Sequence, residues 1–508
     1  MEFFQNITLG FSVALGLTNL LYCFLGVLIG TVVGVIPGLG VLAAISMLFP
    51  MTFGLEPTTA LIMLAGIWYG TTYGGSTASI LLNLPGTPAN AITCLDGYPM
   101  ARQGRGAVAL FMTTVASFFG ATVGIVLLTL FTPIIAEYAL RFGSAEYFAL
   151  MLMGLVAAST ISAGSAIRGF SMVILGILIG LVGMDTQTSA LRYTFDILGL
   201  LEGVSLIALA MGVFGVAEII MSVRRVRTAD IDPESLKLKA ILPTRDDIRR
   251  SWFPMVRGSS MGSFFGTLPG TGPSIAAFLS YAIEKRVSRT PERFGNGAIE
   301  GIMAPEAANN AADQTAFIPT LSLGVPGSAT MALMLGVLMI HGVAPGPNLI
   351  TNQPELFWGL IMSFWIGNVL LLVLNIPMIG LWVRLLTIPY HLLYPAVLVF
   401  ICIGAYTSGF STLNVWMVFF FGLLGFAMRI FDFPGAPLLL GFVLGPLMEE
   451  HFRRAMLLSR GDFMTFFDRP ISGAIMALTG LILVWGIWSG RSSKGKPIAQ
   501  APSSNSAE

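Results

Sequence analysis

The sequence predicts an all-α polytopic membrane protein. Three observations carry that prediction: too few charges for a soluble surface, apolar runs of membrane-spanning length, and a Pro-Gly-broken pattern that occurs twice. Of 508 residues, 55% are hydrophobic and 10% are charged, whereas a soluble globular chain carries about 25% charged residues. A soluble chain of this length would divide into domains that each need a polar surface. Apolar stretches of roughly 20 residues, the length that crosses a bilayer as helix, recur at residues 107–131, 197–221, 357–383 and 471–488. The chain holds 58 glycines and 28 prolines, residues that membrane helices tolerate better than soluble ones.

Several function classes are excluded. A net charge of +1 leaves no nucleic-acid footprint. Cys23, Cys94 and Cys402 are scattered in apolar sequence, and His341, His391 and His451 lie far apart. Neither set makes a metal pattern or a disulfide framework. No positive n-region precedes the first apolar run, so that run does not read as a cleavable signal peptide. A membrane-embedded enzyme would need a catalytic constellation, and the residues supply none.

The repeated element comes next. Gly30-Thr-Val-Val-Gly34-Val-Ile-Pro37-Gly38-Leu-Gly40 recurs as Gly262-Ser-Phe-Phe-Gly266-Thr-Leu-Pro269-Gly270-Thr271-Gly272, with all five Gly/Pro positions at one offset. A second match follows each. Leu82-Asn83-Leu-Pro85-Gly86-Thr87 answers Leu323-Gly-Val-Pro326-Gly327-Ser328. Its offset is slightly larger, which a short insertion in the charged stretch 284–297 explains. The expected organisation is a first membrane repeat (1–223), a basic cytoplasmic linker (224–257), a second membrane repeat (258–490) and a disordered polar tail (491–508).

Charge bias orients the copies. No Lys or Arg precedes Arg102, so the N-terminus and the loop at 50–58 read as outside, and Arg102 and Arg105 as inside. Around the second copy the signs reverse. Residues 224–257 carry nine Lys/Arg against five Asp/Glu, Lys285, Arg286, Arg289 and Arg293 follow, and none occurs from 294 to 383. Opposite bias on equivalent loops is the mark of an inverted-topology repeat. The expectation is two inverted repeats with re-entrant helical hairpins, discontinuous helices and about 10–12 transmembrane segments. Parity does not fix the side of the C-terminus, although Arg491, Lys494 and Lys496 favour the cytoplasm.

Residues 258–283 are too few to cross and return, since two spans need roughly 40 residues. Pro269-Gly270 and Gly272-Pro273 break any helix at the middle, leaving arms of about 16 Å. Residues 26–51 form the mirror copy. The polar, Gly-rich stretch 71–77 is expected to interrupt the span that starts at Thr58. Thr87 before Pro88 has the form of an N-cap, and Ser328 caps the counterpart helix. Four half-helix N-termini, after Gly40, Gly272, Thr87 and Gly327, would then offer free N–H groups to a carboxylate. The candidate substrate-binding set is Pro37, Gly38, Gly40, Asn83, Pro85, Gly86, Thr87, Pro269, Gly270, Thr271, Gly272, Pro326, Gly327 and Ser328. Gly and Pro also serve to kink and pack helices.

Intramembrane acids default to functional hypotheses. Glu306, Asn309, Asn310 and Asp313 share one helical face, near Glu300 and Gln314. This face is the candidate ion-coupling site, for Na+ coordination or a proton-carrying Glu. Tyr69, Thr72, Tyr73, Ser76, Thr77 and Asn83 are the polar groups of the other copy. A shallow position at the inner interface is the competing explanation for the acids, Glu300 above all.

Six stretches carry a resemblance: Gly34–Gly40, Tyr73–Pro88, Leu95-Asp-Gly-Tyr-Pro-Met-Ala-Arg-Gln-Gly104, Ala304-Pro-Glu-Ala-Ala-Asn-Asn310, Ile340–Pro347 and Leu444–Glu450. They are similar to the large membrane subunit of the tripartite tricarboxylate transporters. The resemblance implies a three-part importer in the bacterial inner membrane. Its other parts are a small membrane subunit of about four helices and a periplasmic solute-binding protein. It implies uptake of a carboxylate driven by Na+ or H+, with no cofactor. No Walker-type Gly-x-x-x-x-Gly-Lys occurs, in agreement. A stand-alone ion-coupled transporter or a channel is the alternative from the residues alone.

Overall fold

The computed structural model describes residues 2–36, 38–161, 165–185, 187–222, 241–268, 270–386 and 390–492. Pro37, Pro269, residues 224–240 of the expected linker and residues 493–508 of the expected tail lie outside the described residues.

Helices dominate because apolar sequence without a water partner must satisfy its backbone internally. α1 (Glu2–Ala14), α2 (Leu17–Val35) and α3 (Val41–Leu48) come first. α4 (Pro57–Leu82), the short α5 (Cys94–Met100) and the long α6 (Gly106–Ala139) follow. Next are α7 (Ser144–Ile161), α8 (Ala166–Gly180), a two-residue hairpin of β1 (Gly183–Met184) and β2 (Leu191–Arg192), α9 (Leu206–Ala210) and α10 (Ala217–Ser222). The second half begins with α11 (Arg245–Gly266), α12 (Gly272–Val287), α13 (Glu300–Thr315), α14 (Phe317–Leu323) and α15 (Ala329–Ile340). It continues with α16 (Leu349–Asn352), α17 (Pro354–Asn375), α18 (Ile379–Leu385), α19 (Tyr390–Thr407) and α20 (Thr412–Ile430). α21 (Gly435–Leu458), α22 (Thr465–Asp468) and α23 (Pro470–Ser492) close the chain. Among the described residues, four helical stretches are long and apolar enough to cross a membrane, and seven shorter apolar helices accompany them.

Glycine stripes set the central packing. On α2, Gly26, Gly30 and Gly34 lie against the carbonyls of Met63, Ile67 and Thr71 on α4, where a Cβ would overlap backbone. On α11, Gly258, Gly262 and Gly266 lie in the same way against Ala304, Ala308 and Ala312 of α13. Each glycine, and each residue it meets, is related to its counterpart by the offset of the motif that it belongs to. The order of these contacts makes α2 parallel to α4 and α11 parallel to α13.

α4 and α13 meet antiparallel, because Ser76 reaches Glu306 while Tyr69 reaches Gln314. α2 and α11 therefore run in opposite directions. Helix directions elsewhere follow in the same way. α21 runs with α8, since Gly176 meets Leu438 and Gly180 meets Phe442. α23 runs with α7, since Arg469 pairs with Glu146 at 2.8 Å and Gly486 meets Thr160.

Ion pairs mark two opposite faces. One holds Arg105–Asp247 at 2.7 Å, Arg257–Glu284 at 2.6 Å and Arg250–Glu300 at 3.2 Å. By alternation of α6, α7 and α8 it also holds Arg168–Asp432, and the C-terminal end of α23 lies on that side. The other face holds Glu146–Arg469 and a ring in which Asp185 and Glu449 each bind Arg192 and Arg453.

Two expectations are corrected here. α4 continues unbroken from Pro57 to Leu82 through the Gly-rich stretch 71–77. Gly70 and Gly74 there lie against the α2 backbone, so packing outweighs their poor helix propensity. The first arm of the second hairpin begins at Arg245 instead of Gly258. A capping box between Thr244 and Asp247 starts it inside the expected linker. The arms measure about 33 Å and about 24 Å at the α-helical rise, longer than expected.

Candidate functional site

Helices break at both Pro-Gly motifs. Gly38 has φ 92° and Gly270 φ 82°, a region that side chains disfavour. Gly40 precedes α3, and Gly272 opens α12. The second motifs turn alike: Asn83 ends α4 with φ 56° and Gly324 follows α14 with φ 67°, both left-handed. Gly86 then approaches the carbonyl of Gly34, and Gly327 that of Gly266. In the second copy the two motifs are bonded directly, the Gly270 N–H donating to the Gly327 carbonyl at 2.8 Å. The copies also interlock. α3 packs on α15, and α12 packs on the turn Ala89–Ala91.

One of the four expected half-helix N-termini is different. Ser328 caps α15 through the Met331 N–H at 3.2 Å. Thr87 accepts the Asn90 N–H at 3.3 Å but opens only a 3-10 turn, Ala89–Ala91. Its hydroxyl donates to Asn90 Oδ1 at 2.6 Å, and this local side-chain bonding competes with helix formation. Exposure differs too. Asn83 and Pro85 are exposed, whereas Gly324 to Ser328 are buried. Thr271 is buried, its hydroxyl donating to the Phe265 carbonyl and to that of Leu268.

α13 is the inner wall of the site. All of its residues are buried, because α11, α6 and α12 pack on it and α4 reaches it with the side chains of Tyr69, Thr72 and Ser76. Glu306 is fully buried, and neutral groups hold its carboxylate. Oε1 accepts from Thr93 at 2.6 Å and Asn90 at 3.0 Å, while Oε2 accepts from Ser76 at 2.9 Å and Ser117 at 3.3 Å. Among the described residues no Lys or Arg pairs with it. Asn310 Nδ2 bonds the Glu306 carbonyl at 2.9 Å and Asn309 Oδ1 at 2.6 Å.

Asp313 lies two turns further on and accepts from Thr72 at 3.3 Å. These two residues are counterparts under the offset of the second motif, and they bond each other across the α4–α13 contact. Tyr69 donates to Gln314 at 3.1 Å beside them. Glu306 and Asp313 are about 10 Å apart along the helix. A hard cation holds oxygen within about 2.6 Å, so one ion does not take both acids. Glu300 stands apart, paired with Arg250 and Arg293 on the basic face.

Four partners in this site were absent from the sequence expectation: Asn90, Thr93, Ser117 and Asp96. The first two lie between the stretches Tyr73–Pro88 and Leu95–Gly104, so their neighbourhood was the signal. Ser117 is a lone hydroxyl in an apolar helix and gave none. Asp96 is fully buried. Its Oδ1 accepts the N–H groups of Gly295, Gly297 and Ala298 at 2.8 to 2.9 Å, and its Oδ2 accepts from Tyr281 at 2.9 Å. It thereby ties α5 to the turn that starts α13.

Beside Glu306, between α4, α6 and the α17–α18 junction, lies a small polar cavity of about 10 Å³, room for a single water-sized sphere. Ser76 and Ser117 line it as well as binding Glu306.

The model of the tripartite tricarboxylate transporter TctA family matches residues 20–440. The chain belongs to this family, the large subunits of tripartite tricarboxylate transporters. Two relatives from Agrobacterium vitis are similar to this TctA-family chain. An uncharacterized 52.8 kDa protein in the TAR-I ttuC' 3' region is 48% identical over 481 residues, covering 94% of this chain and 95% of the relative. An uncharacterized protein in the TAR-II ttuC' 3' region is 52% identical over 223 residues, covering 44% of this chain and 92% of the relative. No solved structure matches it at a significant level. Tricarboxylate transport is the function that membership implies, and the apolar helices agree with a multi-pass membrane protein.

Proposed function

We propose that this chain is the transport subunit of a binding-protein-dependent secondary importer. It moves a tricarboxylate or related carboxylate into the cell with Na+ or H+ symport. Its partners are a small membrane subunit and a periplasmic solute-binding protein, and it resides in the bacterial inner membrane. The face with Arg105 and Arg250 is the cytoplasmic one, which puts the C-terminus inside.

The observation that carries the reading is Glu306. A fully buried carboxylate with only neutral donors sits where two similarly broken units meet. Such a group is costly unless it serves an ion. The units are read as inverted repeats because their stripes match and their helices run oppositely. Gly38, Gly40, Gly86, Thr87, Gly272, Gly327 and Ser328 grip the carboxylate through backbone N–H groups, while Gly270 and Thr271, whose N–H groups are bonded to the Gly327 and Leu268 carbonyls, brace the second break. Asn83 orients its turn, and Glu306, backed by Asn309 and Asn310, couples the cation. Asp313 holds the α4–α13 contact.

Reconstitution tests the assignment. Labelled citrate should enter proteoliposomes only when both partners are present, and uptake by this chain alone would contradict the three-part reading. Topology has a separate test. In a background without Cys23, Cys94 and Cys402, a single Cys at Phe53 should react with a periplasmic reagent and one at Ser288 should not. Equal reaction at both would sink the inverted arrangement.

A further inference from the structure

The polar cavity beside Glu306 has a chemical bias that its composition alone does not reveal. Its wall carries many hydroxyls, which can either donate or accept. Almost all of their hydrogens are spent elsewhere. Ser76 and Ser117 donate to Glu306, and Tyr73 donates to Asn368 at 2.8 Å. Thr113 and Thr114 each donate to the Leu110 carbonyl at 2.9 Å. Asn375 gives an N–H to the Leu371 carbonyl, and Trp382 gives its indole N–H to that of Leu374. What these groups have left for the cavity is chiefly oxygen lone pairs. Thr77, also in the wall, is the one hydroxyl there with no hydrogen bond among the described residues.

Among the described residues no basic side chain lines the cavity, and a carboxylate stands directly behind two of the wall hydroxyls. Such a space repels an anionic substrate and attracts a cation. Its donors are hard neutral oxygens, which suit a weakly held alkali-type ion, and its size admits one ion without a hydration shell. The position also fits passage. α6 rises into the cavity from its Arg105 end, and α18 leaves it toward Arg384, so it lies between Glu306 and the basic face.

We propose that this cavity is a binding site for a single Na+ that has exchanged most of its water for wall oxygens, the station through which the coupling ion passes between Glu306 and the cytoplasm. The proposal rests on the symport reading above but is separable from it. The carboxylate binds at the helix breaks, and the cation leaves by a different, hydroxyl-lined route.

The test uses the full chain purified in lipid nanodiscs. Thermal unfolding is followed while NaCl replaces choline chloride at constant ionic strength. The wild type should show a saturable rise in Tm with Na+, and a smaller one with K+. Thr77→Val and Thr114→Val remove a wall oxygen with little change of shape, and each should raise the half-saturating Na+ concentration about tenfold. Thr77→Ser, which keeps the oxygen, should stay within about twofold of wild type. Unchanged half-saturation in both valine variants overturns the proposal, as does a wild type that does not respond to Na+.

A second readout does not depend on those variants folding. Na+ should change the intrinsic fluorescence of the wild type, and Trp382→Phe should abolish that change. A signal that survives Trp382→Phe places the ion elsewhere and overturns the proposal. Citrate uptake by the reconstituted three-part system is scored separately. If it stays Na+-driven while these titrations fail, symport stands and only the cavity assignment falls.

Discussion

Residues 17–100 and 245–340 build the same object from different side chains. In the first, glycine meets glycine: the α2 stripe lies on α4, and Gly66, Gly70 and Gly74 of α4 lie back on α2. In the second, the α11 glycines meet alanines of α13. Alanine favours helix by about 1 kcal/mol per residue over glycine. The helix built with alanine is the one that carries Glu306 and Asp313. Its partner α4 carries only hydroxyls and a phenol to meet them. The difference teaches a division of labour: duplicated backbone geometry supplies the helix breaks, and one copy alone supplies the acid. The proposed ion coupling is then two-fold in the expected architecture and one-fold in chemistry.

The largest expected effect breaks that asymmetry. Glu306→Gln keeps the shape and removes the charge, and should lower coupled uptake about 100-fold, on the order of 2.7 kcal/mol. Asp313→Asn should cost much less, because Thr72, which donates to it, can still bond an amide oxygen. Comparable losses for the two would erase the distinction between coupling and contact.

Next come the stripes, where the copies should behave alike. Gly30→Ala and Gly262→Ala each push a methyl into a facing carbonyl and should each lower stability by about 1–3 kcal/mol. Thermal melting of the purified chain checks this, and an effect in one copy only would break the equivalence.

The caps should then separate the copies again. Ser328→Ala should cost about 1 kcal/mol of stability with little change in ion dependence. Thr87→Ala, which frees Asn90, should instead shift the ion dependence of transport.

The smallest effect lies at the start of α11. Burial pushes the Asp247 carboxyl up, but hydrogen bonds from Thr244 and Arg105 outweigh it and hold the group below the usual carboxylate range. Its contribution is therefore full above the unfolded value of about 4 and is lost as pH falls through the folded value. Asp247→Asn should melt earlier than wild type at pH 7, and the gap should close in acid.

The sequence made the membrane class, the doubled motif and the opposed charge bias legible, because each is written in composition, spacing or Lys/Arg placement. It also pointed to Glu306, since an acid in a long stretch without basic residues has few structural uses. It misled at residues 71–77, where glycines that look like breaks are contact points, Gly74 against α2 and Gly75 against Thr87 and Asn90. It also misled at Thr87, where a cap signature was diverted to Asn90. Asn90, Thr93 and Ser117 could not be read as partners of Glu306, because nothing local tells a hydroxyl that bonds its own helix from one that reaches across 200 residues of chain. The spent hydrogens of the cavity wall belong to the same class of information.

The central claim is that Glu306 couples the ion while the broken backbone binds the carboxylate. Proteoliposomes holding the three-part system and Glu306→Gln test it directly. Preloaded with citrate, they should still exchange labelled citrate across the membrane, yet an imposed Na+ or H+ gradient should no longer drive accumulation. Gradient-driven accumulation equal to wild type would contradict the account.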